Sequence, residues 1–152
     1  MDLRLVAVQI VRKALTAVGR GGSLPGRLAL KMDPHFIEKF HMPKDVILVT
    51  GTNGKTTTSN LIAKSLMQAG LKVINNSRGD NLNVGIATLL AANSDASFHV
   101  QADAAVIEVD ELTLYRQFKA LRPTALVVNN FFRDQLDRAG EMETIIRKIE
   151  EV

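Results

Sequence analysis

The residues of this chain best suited to chemistry are Gly51-Thr52-Asn53-Gly54-Lys55-Thr56-Thr57-Thr58, which follow the apolar, β-branched run Val46–Thr50 and open a helical pattern. A strand, a turn of small residues and a helix N-terminus in succession make a cradle for anionic oxygens. The first turn of a helix carries N–H groups without intrahelical partners, and its dipole is positive at that end. Lys55 adds a point charge for terminal phosphates, and Thr56 offers a hydroxyl to a bound magnesium ion. The usual phosphate-loop pattern G-x-x-x-x-G-K-[ST] would place its first glycine at position 49. Val49 stands there and the glycine is Gly51, which gives the tighter G-T-N-G-K-T.

Two further clusters belong with this loop. The apolar run Ala104-Ala-Val-Ile ends in Glu108, a carboxylate where a buried strand surfaces, and a magnesium–ATP site needs one beside the loop hydroxyl. Asp110 and Glu111 are the alternative metal ligands there. The third cluster, Asn130-Phe-Phe-Arg133-Asp134-Gln135-Leu-Asp137-Arg138, gathers amide, acidic and guanidinium groups after another apolar run. Its plainer reading is a helix cap at Asp134 with Arg133 and Arg138 paired to nearby acids.

The elements that must position these clusters are legible in the spacing. Residues 3–18 read as a helix with Leu3, Val6, Ile10, Ala14 and Val18 on one stripe, broadened by Leu5, Val8, Val11 and Leu15. That stripe is expected to pack on the domain or on further chain, with contact at a membrane surface as the alternative. Gly19–Gly26 reads as a loop and Arg27–Met32 as a short helix; Asp33, followed by Pro34, caps another helix running to about Phe40. Strands are expected at Val46–Thr50, Lys72–Asn76, Ala104–Val109 and Thr124–Asn129, the last two buried by their unbroken apolar runs. Helices are expected at Thr56–Ala69, with Leu61, Ile62, Leu66 and Ala69 inward and Gly70 as stop, then at Val84–Ala92 and Glu111–Leu121. Polar loops at Ser77–Asn81 and Phe131–Gly140 complete the order, with a final helix from about Glu141. Strands alternating with helices, without two-residue hairpin turns, predict an α/β fold: a parallel sheet with helices on both faces. Ligands of such sheets bind beyond the carboxyl ends of the strands, where the phosphate loop, Glu108-Val-Asp110-Glu111 and Asn129-Asn130…Asp134 all fall.

Composition bounds the function. The 152 residues are one domain's worth of chain, with 46% hydrophobic and 23% charged residues. The absence of cysteine excludes a disulfide framework and a cysteine-built zinc site within these residues. With no Trp and one Tyr, base stacking has little to work with, and nucleic acid is not an expected partner. Charge is uneven: residues 1–44 hold eight Lys/Arg against three acids, residues 45–152 eleven against thirteen. The chain therefore divides into a basic helical introduction, 1–44, and a nucleotide-binding domain, 45–152. The basic introduction is a solvated face or a contact for a polyanion or membrane surface. No run of about eighteen apolar residues predicts a membrane span. Residues 3–18 lack a signal-peptide cleavage pattern, so a cytoplasmic location is expected.

In its ordered motifs the chain resembles the Mur ligase superfamily, whose central ATPase domain begins with a strand running into G-T-N-G-K-[ST]-[ST]. Gly51–Thr57 matches throughout, Glu108 in Val-Ile-Glu-Val matches the family's magnesium-binding Glu, and Asn130…Asp134-Gln135-Leu136-Asp137 sits in the register of N-x-x-x-D-H-x-D. Gln135 replaces the His that binds a second magnesium in amino-acid-adding members. The segment Phe-Arg-Asp-Gln-Leu-Asp-Arg, the introduction Gly21–Pro34 and Asn81 in Gly-Asp-Asn-Leu are similar to the MurT-like branch, the ligase subunits of lipid II isoglutaminyl synthase. This resemblance implies ATP-dependent amidation of the D-glutamate α-carboxylate of the lipid II stem peptide through an acyl phosphate. It implies ammonia from a GatD-like glutaminase partner, and a lipid II-type substrate at the inner membrane surface. By the same resemblance, Lys55 and Glu108 are catalytic; Gly51, Thr52, Asn53, Gly54, Lys55, Thr56, Thr57, Asn81, Asn130 and Asp134 bind ATP; and Thr56 and Glu108 hold Mg2+. The family's zinc insertion and C-terminal domain are expected beyond Val152, so the chain reads as an N-terminal part cut inside the ATPase domain and inactive alone. The alternatives are a Mur- or folylpolyglutamate-type ligase that adds an amino acid, and a nucleotide-binding interaction module without catalysis.

Overall fold

A computed structural model of the chain describes residues 2–17, 23–76, 81–111, 113–130 and 147. Its centre is a sheet of β1 (Asp45–Thr50), β2 (Val73–Asn75), β3 (Ala104–Glu108) and β4 (Ala125–Val128), ordered β2-β3-β1-β4. All three pairings are parallel, as the alternation of strands and helices predicts. The helices are α1 (Leu3–Ala17), α2 (Leu24–Met32), α3 (Lys55–Gln68), α4 (Asn83–Ala92) and α5 (Leu114–Leu121), with a 3-10 turn at Phe36–Lys39.

Successive side chains of a strand point to opposite faces, and here each face has its own core. Val49, Val106 and Ala63 are buried together on one side, with Ile47, Ile62, Leu66, Val73 and Val127 against them. That is the α3 face. On the other side Val46, Leu48, Ile74, Ala105 and Ile107 meet Ile86 and Leu90 of α4, Leu121 of α5, and Leu5, Val8 and Phe36 of the N-terminal segment. Phe36, Phe40 and Phe98 pack edge to face with ring centroids 5.0–5.6 Å apart. The first 44 residues thus share one core with the sheet.

Several elements differ in detail from the sequence expectation. Among the described side chains of α1, Leu5 and Val8 are buried, while Leu3 and Ile10 are 76% and 62% exposed. The cause is Gln9, whose Nε2 donates to the carbonyls of Ala91 (3.2 Å) and Ser94 (3.0 Å) at the end of α4. A polar contact there rotates the helix away from its most apolar stripe. Leu24-Pro25-Gly26, expected as loop, is instead the first turn of α2, with Pro at its start. Gly26 lies against α4: a Cβ there would fall 1.9 Å from the Val84 carbonyl oxygen, and its N–H donates to Thr88 Oγ1 at 2.9 Å. The helix expected after Asp33 is only the 3-10 turn, because Asp33 Oδ1 accepts from the His35 N–H (3.0 Å) and its carbonyl from the Phe36 N–H (3.0 Å).

On α3, Ser59 and Ala63 are buried, whereas Leu61 is 66% exposed and Ala69 is exposed as well. Small residues at the closest point let this helix sit tightly on the sheet. The α5 helix starts at Leu114, not Glu111, since the Asp110 carbonyl accepts from the Thr113 N–H (3.0 Å) and Thr113 Oγ1 (3.1 Å) in a turn. β3 is buried throughout, but β4 is not: Ala125 and Val128 are exposed, because β4 pairs only with β1 among the described residues. The expected loop at Phe131–Gly140 and the final helix lie outside the described residues.

Candidate functional site

The strand register brings the phosphate loop, Glu108 and Asn130, the first residue of the third cluster, to one edge. Val49 lies opposite Glu108, and Thr50 opposite Val128, so the chain leaves β1, β3 and β4 at neighbouring points. Beyond Thr50 the loop turns through Gly51 and Gly54, with φ of +130° and +78°. Both values favour glycine. A Cβ on Gly51 would lie 2.9 Å from the Asn130 carbonyl oxygen and 3.1 Å from Asn129 Cβ, so the loop is seated directly on the chain that follows β4.

That seat is held by hydrogen bonds. The Thr52 N–H donates to the Asn130 carbonyl (2.7 Å) and the Asn53 N–H to Asn130 Oδ1 (3.0 Å). Asn129 Nδ2 donates to the Asn53 carbonyl (3.2 Å) and to Thr58 Oγ1 (3.0 Å). Asn130, expected among the nucleotide contacts, therefore shapes the loop by accepting two of its N–H groups, one at its carbonyl and one at its side-chain oxygen. At the start of α3, Gly54 is in the left-handed conformation and supplies no side-chain cap. Its carbonyl accepts the Thr58 N–H at 2.9 Å, the first helical bond. The N–H groups of the first turn, Thr57 among them, are the ones an α-helix leaves for an outside acceptor.

Lys55 and Thr56 point to different partners. Lys55 Nζ donates to the carbonyls of Gly51 and Thr52 and lies 3.5 Å from Glu111 Oε2, with the two side chains 12% and 20% exposed. Thr56 Oγ1 donates to Glu108 Oε2 at 2.7 Å. Asn81 Nδ2 reaches the other carboxylate oxygen of Glu108 at 3.4 Å. Glu108 itself is 2% exposed. Its backbone is gripped by Asn76, whose Nδ2 donates to the Glu108 carbonyl (2.8 Å) and whose Oδ1 accepts from the Glu108 N–H (2.7 Å).

These groups fit a magnesium–polyphosphate ligand. A hydroxyl and a buried carboxylate, both hard oxygen donors, meet beside a helix N-terminus and a lysine. Magnesium is ordinarily held by one or two carboxylates together with substrate phosphates, not by an all-protein cage. In keeping with that, the described residues contain no group of three His, Cys, Asp or Glu side chains able to hold a metal by themselves. Thus Gly51, Thr52, Asn53, Gly54, Lys55, Thr56, Thr57, Asn81, Glu108 and Asn130 lie together at one edge. Asp134 and Gln135 lie outside the described residues.

The sequence places Asn129 at this edge with the third cluster, but not Asn76. Asn76 acts on backbone, which leaves no motif, whereas Asn129 reaches both the Asn53 carbonyl and the Thr58 hydroxyl. One signal was available: each belongs to an Asn-Asn pair directly after an apolar strand, where a side-chain amide can continue hydrogen bonding that the strand has ended.

The family profile of the Mur ligase middle domain matches residues 49–151. The chain is 40% identical over 145 residues to the MurT subunit of lipid II isoglutaminyl synthase (glutamine-hydrolyzing) from Staphylococcus aureus (strain COL), covering 94% of the chain and 32% of that protein. The MurT subunit from Streptococcus pneumoniae is 37% identical over 97% of the chain and 32% of its own length. A UDP-N-acetylmuramoylalanine–D-glutamate ligase from Brucella abortus is 33% identical over 70% of the chain and 21% of its own length. The chain therefore spans about a third of the length of the MurT subunits it matches.

Proposed function

This chain belongs to the Mur ligase family, and from that premise we propose that it carries the magnesium–ATP site of a MurT-like ligase subunit. The observation that supports this reading most directly is the 2.7 Å contact between Thr56 Oγ1 and Glu108 Oε2 at the foot of the phosphate loop. Thr56 and Glu108 would hold magnesium between them. Lys55 and the first-turn N–H groups of α3 would hold the β- and γ-phosphates, and Asn81 would keep the Glu108 carboxylate turned toward the metal. What these residues contribute is positioning and charge neutralisation in phosphoryl transfer, with the hydrogen-bonded loop fixed in advance.

Bound ATP supplies the phosphoryl group that activates a carboxylate as an acyl phosphate. By likeness to the MurT subunits, the carboxylate is the D-glutamate α-carboxylate of a lipid II stem peptide. Ammonia from a GatD-like glutaminase partner then attacks the acyl carbon, forming the amide C–N bond as the C–O bond to phosphate breaks and inorganic phosphate leaves, at the inner face of the membrane. Remaining substrate contacts, and any zinc, would be supplied by parts of the protein outside these 152 residues.

The test is a calorimetric titration of the full-length protein with ATP, with and without magnesium, beside Lys55→Ala and Glu108→Ala. Magnesium-dependent binding that both variants lose is the expected result. Binding that survives in both removes this site from the mechanism. With ATP and the lipid-linked substrate present, ammonia and not D-glutamate is the expected nitrogen donor.

A further inference from the structure

We propose that Asn76 is a positioning residue for magnesium, acting through the backbone of Glu108; the role rests on the nucleotide site proposed above. The β2–β3 ladder runs Val73↔Ala104, Ile74↔Ala105 and Asn75↔Val106. Past Asn75, the side-chain amide of Asn76 serves as a surrogate peptide group. Its donor goes to the carbonyl and its acceptor to the N–H of one residue, Glu108, at 2.8 and 2.7 Å. On the other flank, Val49 of β1 lies opposite Glu108, and its carbonyl accepts the following N–H, that of Val109, at 2.9 Å. The Glu108 main chain is thereby held from both sides.

The clamp falls on the residue whose carboxylate meets Thr56. A strand that ended without it would leave the last peptide of β3 free to tilt, and a tilt at Cα is magnified at a carboxylate several bonds away. Both partners are nearly dry, Asn76 at 6% exposure and Glu108 at 2%. Water is therefore a poor substitute for the amide, and the two bonds are stronger for lying in a low-dielectric setting. Groups that orient a metal ligand without touching the metal commonly change metal affinity tenfold or more when removed.

The experiment separates positioning from support of the fold. In the full-length protein, the magnesium concentration giving half-maximal ATP binding is measured for wild type, Asn76→Ala, Asn76→Asp and Glu108→Ala, alongside ATP binding in EDTA and thermal melting. Asn76→Ala is expected to raise the magnesium midpoint about tenfold, with metal-free ATP binding changed by less than about twofold. Asn76→Asp keeps the acceptor but sets an anion against the Glu108 carbonyl, and it is expected to behave like alanine; it is the variant read if the alanine protein does not fold. A folded Asn76 variant whose midpoint matches wild type, in a series where Glu108→Ala shifts it, overturns the role alone. Wild-type protein without magnesium-dependent ATP binding overturns the nucleotide reading and the role with it.

Discussion

The Thr56 hydroxyl has two functions that one substitution can separate. It is proposed as a magnesium ligand, and it also satisfies the buried Glu108 carboxylate at 2.7 Å. Thr56→Val keeps the shape, removes the hydroxyl and leaves Glu108 Oε2 without that donor. It is expected to lower stability by about 1–3 kcal/mol, the usual cost of an unsatisfied buried polar group, and to weaken magnesium-dependent ATP binding at least ~10-fold. Thr56→Ser should restore both, read by denaturant unfolding and by calorimetry. At this scale the sequence was informative wherever the chemistry lies in the side-chain type. Lys55, Thr56 and Glu108 can be named from spacing alone. Asn76 could not, because its work is done on main-chain atoms of a residue far away in sequence. Gln9 misleads for a similar reason: a polar side chain that finds two carbonyls belongs inside, contrary to its hydropathy.

The existence and order of the elements followed from periodicity, while their faces and ends depended on contacts no window of sequence contains. Gly26 is an example. Its Pro-Gly context reads as a turn, yet the glycine is there because α4 passes so close that a Cβ would meet the Val84 carbonyl oxygen at 1.9 Å. Gly26→Ala is therefore expected to force α2 and α4 apart at a cost of about 1–3 kcal/mol, measured by urea unfolding. The connection from α4 to β3 has its own electrostatic signature. Asp95 Oδ1 accepts from the N–H groups of His99 (3.0 Å) and Ser97 (2.8 Å), and these hold its carboxyl below the ordinary value of 3.8. A folded-state value below the unfolded one contributes stability that is present above the unfolded value and is lost as pH falls through the folded one. Acid titration of wild type against Asp95→Asn should accordingly show the variant losing less stability below about pH 4.

At the scale of the molecule, the N-terminal segment and the sheet are parts of one packing unit. Leu5, Val8, Ala29, Phe36, Ile37 and Phe40 lie in the same core as Leu48, Ile86, Leu90 and Ile107. Removing residues 1–44 would strip that face of the sheet. The shortened chain is expected to lose cooperative unfolding and to bind a hydrophobic dye such as ANS, the behaviour of a compact chain without fixed packing. Charge composition sets this segment apart in the sequence, but charge reports on the surface and says nothing of what lies beneath it.

Val49 and Glu108 face one another on adjacent strands, so the main chain that leads into the loop and the main chain that carries the carboxylate are one inter-strand step apart, about 4.8 Å. Such a step is a fixed gauge, set by peptide hydrogen bonds and not by the reach of flexible side chains. Warming excites rotamers and loops well before it changes that interval. The spacing of the two main chains should then persist until the sheet itself melts, so that any loss of recognition below that temperature belongs to the loop and the rotamers and not to the frame.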